Sequence, residues 1–246
     1  MNLWRLELLR LYRTHRVWIL LGIFAFFGAL GPLTARYLPE IVDRLGAGAE
    51  VAIPEATPEL AMAQYSGNAV QIGLLAIAFV AAVSLAFDAK LEMAVFLRTR
   101  ASIRSILTPR YVVNIGVAAA SLFVGSVVAF VGSAILISTP NIGGTIIGSL
   151  LLALYLGFAV AVAGFFASIV RSVPGTALLT LGFLIVIGLV GLIPVITPWL
   201  PSELVGAFDS QVAGGDFVYW RSIGSTIVLS AAAIVASVVL MERREI

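Results

Sequence analysis

Read along its length, the chain alternates between long apolar runs and short polar breaks. No charged side chain occurs in residues 17–35, 60–87, 111–170, 172–202 or 222–241. A membrane helix needs about 20 consecutive apolar residues, so four of these runs each supply one span. As a single helix, 111–170 would extend roughly 90 Å at 1.5 Å per residue, about three times the bilayer core. It must therefore fold back, and Ser138, Thr139, Pro140 and Asn141, followed by Gly143 and Gly144, mark the turn. The pattern predicts an all-α integral membrane protein, one transmembrane domain over 1–246. Its six spans fall at about 17–37, 66–87, 111–137, 144–170, 175–196 and 222–241.

Composition agrees with this reading. The apolar fraction is 61% and the charged fraction 11%, against about one half and one quarter in soluble domains. Too few polar residues remain to clothe a water-facing surface.

The basic residues orient the spans. With the N-terminus inside, Arg5, Arg10, Arg13, Arg16, Lys90, Arg98, Arg100, Arg104, Arg110, Arg171, Arg243 and Arg244 are cytoplasmic, while Arg36, Arg44 and Arg221 are outside. Twelve against three follows the positive-inside rule. Both termini are predicted on the cytoplasmic side, in the inner (cytoplasmic) membrane. The net charge of +2 hides this polarity, and the basic balance needs no nucleic-acid partner.

Before the first span, Trp4, Leu8, Leu11 and Tyr12 gather on one side of a helical wheel and Arg5, Arg10, Arg13 and Arg16 on the other. An interfacial helix over 1–16 is expected; the simpler alternative is a topology signal. No small-residue cleavage site precedes Arg36, so a cleaved signal peptide is not expected.

Candidate chemistry is sparse. Apart from Arg36 at the outer edge of the first, the predicted spans hold no Asp, Glu, Lys, Arg or His, the chain has no cysteine, and His15 sits among arginines. Thiol catalysis, a Ser-His dyad, an acid–base pair and a metal site all lack their residues. A proton-coupled carrier also wants an ionisable group at depth. Lys90, between Ala89 and Leu91, does not complete a phosphate-binding Gly-x-x-x-x-Gly-Lys-Ser/Thr loop. No catalytic residue or bound cofactor is expected, and any ATP and Mg²⁺ would belong to a partner. Milder polar residues, Asn68, Gln71 and Ser84 in the second span and Thr176 and Thr180 in the fifth, either line a path with Phe183 or bond between helices. Gly144 and Gly148 form a GxxxG that favours close helix packing. Residues 197–219, with Trp199, Leu200, Leu204, Val205 and Phe208, suit a short helix lying in the outer interface or dipping into it.

Residues 87–111 concentrate Lys90, Arg98, Arg100, Arg104 and Arg110, five of the fifteen basic residues. Anchoring of topology explains such a cluster by itself. The loop is also long, Ile103, Ile106 and Leu107 share a helical face, and Arg100 and Arg104 stand one turn apart. These features predict a short helix that docks a cytoplasmic partner.

At this point the chain resembles the permease subunits of type-2 ABC exporters, the ABC-2 family. The family's loop runs from an acidic residue through Gly-Thr and a leucine-rich stretch to Pro-Val-Ser-Arg and a basic residue opening span three. Here Asp88, Phe96, Leu97, Thr99, Ala101, Ser102, Ile106, Leu107 and Arg110 follow that order. Glu92 and Met93 stand in place of Gly-Thr, Arg100 in place of the proline and Ile103 in place of the arginine, with Arg104 following. Pro198, Trp199, Leu200 and Pro201, running on to Gly214 and Gly215, also resemble the family's outer re-entrant region. The resemblance implies a dimer of identical or homologous permeases on two ATPase subunits, with Arg98, Arg100, Ile103, Arg104, Ile106 and Leu107 in the coupling helix. An ATP-independent channel or carrier, or a non-transporting scaffold or assembly factor, are the other classes compatible with the residues.

Overall fold

A computed structural model describes residues 3–44, 55–89, 95–97 and 99–243. Among them the regular structure is helical, and six helices are long and apolar enough to cross a membrane. The chain is a multi-pass membrane protein.

Helix α1 (Leu3–Arg13) turns Glu7 and Leu11 inward and leaves Trp4, Leu8 and Tyr12 exposed. The Thr14 hydroxyl donates to the Arg10 carbonyl (2.7 Å), and His15 takes a left-handed conformation (φ 58°). That residue ends α1 and redirects the chain into α2 (Arg16–Arg44). Helix α3 (Pro58–Leu85) opens on an N-cap, the Thr57 hydroxyl accepting from the Leu60 amide, with Pro58 in the first turn and Glu59 behind it. Midway, Ala69–Gly73 widens into a π-helical turn.

Helix α4 (Ile103–Leu136) starts at its Ser102 cap. Its 34 residues measure about 51 Å at 1.5 Å each, well beyond the roughly 30 Å of a hydrocarbon core. The helix begins well before 111 and is longer than one crossing needs. Helix α5 (Ile142–Ile169) follows the short break after Leu136, with Asn141 as its cap. Helix α6 (Val173–Val190) is capped by Ser172, α7 (Glu203–Val212) is short, and α8 (Trp220–Glu242) is the last.

Helix α5 is the hub. Its most apolar stretch is 72% buried, against 22% for α6 and 11% for α8, although the three are nearly equal in hydropathy. The most extensive pairing joins α2 to α4, where the Gly28 and Gly125 backbones meet so closely that a Cβ at Gly28 would strike the Gly125 carbonyl. A second close approach sets α7 on the first two turns of α5: a Cβ at Gly144 would enter the Gln211 carbonyl, and one at Gly148 would meet the Phe208 backbone. The GxxxG is a packing surface.

Both ends of the described chain lie at one end of the bundle. Arg104, in the first turn of α4, pairs with Glu242 at the end of α8 (3.1 Å), and α1 docks on the adjoining ends of α3 and α4. This is the terminal end below; α7 lies at the opposite end.

Candidate functional site

Two regions hold polar groups in unusual settings. The first, at the terminal end, is built on Glu7. Its position on the inward side of α1 brings a carboxylate to the junction of α3 and α4, where it is only 5% exposed. An isolated carboxylate there would be strongly disfavoured. The Ser84 hydroxyl donates to Glu7 Oε1 (2.7 Å), Arg110 Nε lies 3.6 Å from Oε2, and Arg10 Nη1 lies 3.4 Å from both oxygens. Arg110, itself buried, donates from Nη1 to the Ser84 carbonyl (2.7 Å) and sets its guanidinium 4.9 Å from the Phe87 ring centre. Asn114 Nδ2 closes the network, donating to Ser84 Oγ (2.9 Å) and to the Arg110 carbonyl (2.7 Å). Arg10 Nη2 reaches the Val83 carbonyl (3.1 Å). The arrangement ties α1 to α3 and α4 through charges that are mutually satisfied.

The residues expected to couple to a partner divide here into two groups. Ile103, Ile106 and Leu107 are 8%, 3% and 1% exposed, buried in the same apolar cluster as Leu11, Leu85 and Phe87. They form the packed root of α4 and are no free docking face. Arg100 and Arg104 stay outside, Arg100 with its guanidinium 4.4 Å from the centre of the exposed Phe96 ring and Arg104 on Glu242. Arg98 lies outside the described residues, as do Lys90, Glu92 and Met93.

The second region is a cavity of about 550 Å³ between α3, α6 and the chain from Gly191 to Val205. Its walls are mainly aliphatic, and Gln71, Tyr155, Thr197, Ser202 and Glu203 supply its polar atoms. Val70 and Gln71 come from the π-helical turn, where the extra residue per turn swings side chains off the regular face. The size suits a small amphipathic molecule. Of the residues expected to line a path, Gln71 is in this cavity and the other five are not, Ser84 being held in the Glu7 network. Asn68 donates to the Gln64 carbonyl (2.8 Å). Thr176 and Thr180 are fully buried and donate to Ser172 and Thr176 carbonyls of their own helix (2.9 and 2.7 Å). Phe183 packs edge-on against Phe166, 5.8 Å between ring centres.

At the opposite end, Ser66 Oγ donates to Asp209 Oδ1 (2.5 Å), joining α3 to α7, while Phe208 meets Tyr65 edge-on at 6.1 Å. Asp209 sits on the open edge of α7, yet its apolar neighbours push its carboxyl above the usual carboxylate range, against the Ser66 hydrogen bond that lowers it. Among the described residues no group of three or more His, Asp or Glu is gathered to hold a metal ion.

Sequence reasoning missed Glu7, Asn114, Tyr155, Ser202 and Asp209. Only Glu7 carried a signal: it is the one acidic residue on a helix otherwise basic, on the same side as Leu11, one turn away. Compared with known proteins, the chain matches no family model and no curated sequence.

Proposed function

We propose that the chain is the membrane-spanning permease subunit of an ATP-driven exporter of the ABC-2 type. In this reading it works as a dimer on two separate ATPase subunits, which bind the ATP and Mg²⁺, with the terminal end facing the cytoplasm. The observation that carries the reading is the build of that end. An interfacial helix, the segment between the second and third spans and the last turn of α8 converge there, on the side favoured by the twelve-to-three split of basic residues. Phe96, Arg100 and Arg104 are the contact offered to the ATPase, and the Glu7–Arg110 network carries its push into α3 and α4. The aliphatic cavity beside Gln71 favours an amphipathic or lipid-like cargo over a small ion.

Affinity purification of the tagged chain from the membranes of the organism that makes it tests the proposal. An ATPase should co-purify in stoichiometric amount, while the isolated chain binds no nucleotide. Saturable ATP binding by the isolated chain, or transport by it in liposomes without an ATPase, would contradict the proposal, and the second result would favour a channel or carrier. Orientation has its own test, made clean by the absence of native cysteine. A cysteine at Ser210 should react with a membrane-impermeant thiol reagent in intact cells and one at Thr99 should not; the reverse would invert the topology.

A further inference from the structure

Beneath α1 lies a cavity of about 480 Å³, closed by the ends of α3 and α4 and reached by Val173 at the start of α6. Among the described residues its lining includes three guanidinium groups, Arg10, Arg16 and Arg110, against one carboxylate, Glu7. Glu7 is already held by Ser84, Arg10 and Arg110. Arg16 is the surplus cation. Its Nη1 is shut off from solvent and has no hydrogen-bond partner among the described residues. A buried guanidinium N–H without an acceptor is costly; such a group is matched by a carboxylate or a phosphate oxygen, and the one carboxylate in the described lining is already taken.

The rest of the cavity says what carries the phosphate. Leu3, Leu6, Phe87, Leu97 and Ile106 make its remaining walls largely apolar. Arg16 opens the first spanning helix, and close to it in sequence the exposed Tyr12 and Trp18 meet edge-on, 5.8 Å between ring centres. Tryptophan and tyrosine mark the depth of lipid headgroups. A free phosphate ion would gain from the arginines but nothing from the aliphatic walls, whereas a phospholipid fits both. We propose that this cavity is a binding site for the phosphate of an anionic phospholipid, Arg16 being its principal contact and the apolar walls receiving the first carbons of the lipid. The proposal rests on the six-span membrane reading and is independent of any ATPase.

The test uses the whole chain purified in an uncharged detergent. Short-chain phosphatidylglycerol, phosphatidylcholine with the same chains, and inorganic phosphate are titrated separately, and binding is read from tryptophan fluorescence and native mass spectrometry. Phosphatidylglycerol should bind saturably and roughly tenfold more tightly than phosphatidylcholine, which carries the same phosphate but brings a choline cation toward three arginines. Inorganic phosphate should compete only at far higher concentration. Arg16→Gln should abolish the preference, Arg16→Lys should keep part of it, and Arg13→Gln, at an exposed position on α1, should leave it intact. Leu6→Trp, which fills the cavity and keeps every arginine, should weaken binding of the lipid and decides the matter if Arg16→Gln does not fold. Equal affinity for the two lipids, an equal loss in Arg13→Gln, inorganic phosphate binding as tightly as the lipid, or full binding by Leu6→Trp would each overturn the site.

Discussion

At the terminal end of the bundle, Glu7, Ser84, Arg110 and Asn114 join three helices by hydrogen bonds and ion pairs buried beneath α1. At the opposite end, α7 rests on Gly144 and Gly148 by close backbone contact, with one hydroxyl–carboxylate bond, Ser66 to Asp209, beside it. The two ends solve the same problem, attaching a short helix to a membrane bundle, by different physics. Shape complementarity at small residues is rigid and fails only when volume is added. A buried charge network is held by a few matched groups, so it fails when one partner is removed or drawn elsewhere. In the proposed reading this makes the terminal end the one suited to respond to a partner.

The largest effect should come from the root of that end. Ile106→Asp with Leu107→Asp places two carboxylates in a packed cluster, and a loss on the order of 5 kcal/mol or more is expected. The double variant should fail to accumulate in membranes. Normal accumulation with a native thermal midpoint would mean that this face is free after all. Next, Arg110→Ala leaves the buried Glu7 charge with the Ser84 hydroxyl and only the long ion contact to Arg10, and should cost about 3–5 kcal/mol. Adding Glu7→Gln should recover much of that loss, because the orphaned charge goes with it; a double variant no better than Arg110→Ala would argue against the network.

At the other end, Gly144→Val drives a side chain into the Gln211 carbonyl and should cost about 1–3 kcal/mol. Its mark should be local: faster amide exchange in α7, with α1 protected as before. Opening at α1 instead would erase the distinction between the ends. The smallest effect concerns Asp209. Because its pKa is raised in the fold, the folded chain takes up a proton at a pH where the unfolded chain has not. Stability should therefore rise as pH falls from neutral through the folded value, levelling off near the ordinary carboxylate value of about 3.9. Asp209→Asn should flatten that slope in a thermal melt; an unchanged slope would assign the dependence to other groups.

The six spans, the turn before α5 and the packing role of Gly144 and Gly148 were legible because each is a local property: run length, turn residues, a small-residue spacing. Long-range placement was not. Helices α5 and α8 differ little in hydropathy yet greatly in burial, and nothing within either helix says which becomes the hub. Arg110 looked like one more anchor at the edge of a span, because its partner Glu7 stands about a hundred residues earlier in sequence. Ile103, Ile106 and Leu107 were rightly placed on one helical face, but an oily face reads alike whether it awaits a partner or is already covered, here within the same chain. The π-helical turn that brings Gln71 to a cavity leaves no mark in composition, since it changes backbone pitch and not residue type.

The proposal that the terminal end receives an ATPase puts the contact at the exposed Arg100, over Phe96, and Arg104, on Glu242. These arginines are bonded only at the surface, so reversing them should leave the fold intact. Recovery of ATP hydrolysis with the purified chain, wild type against Arg100→Glu with Arg104→Glu and prepared from the same membranes at low salt, is the most direct test. Recovered hydrolysis should fall roughly tenfold or more, with an unchanged thermal midpoint for the chain and a smaller difference at high salt as charges are screened. Equal recovery of ATPase by the two proteins would contradict the claim.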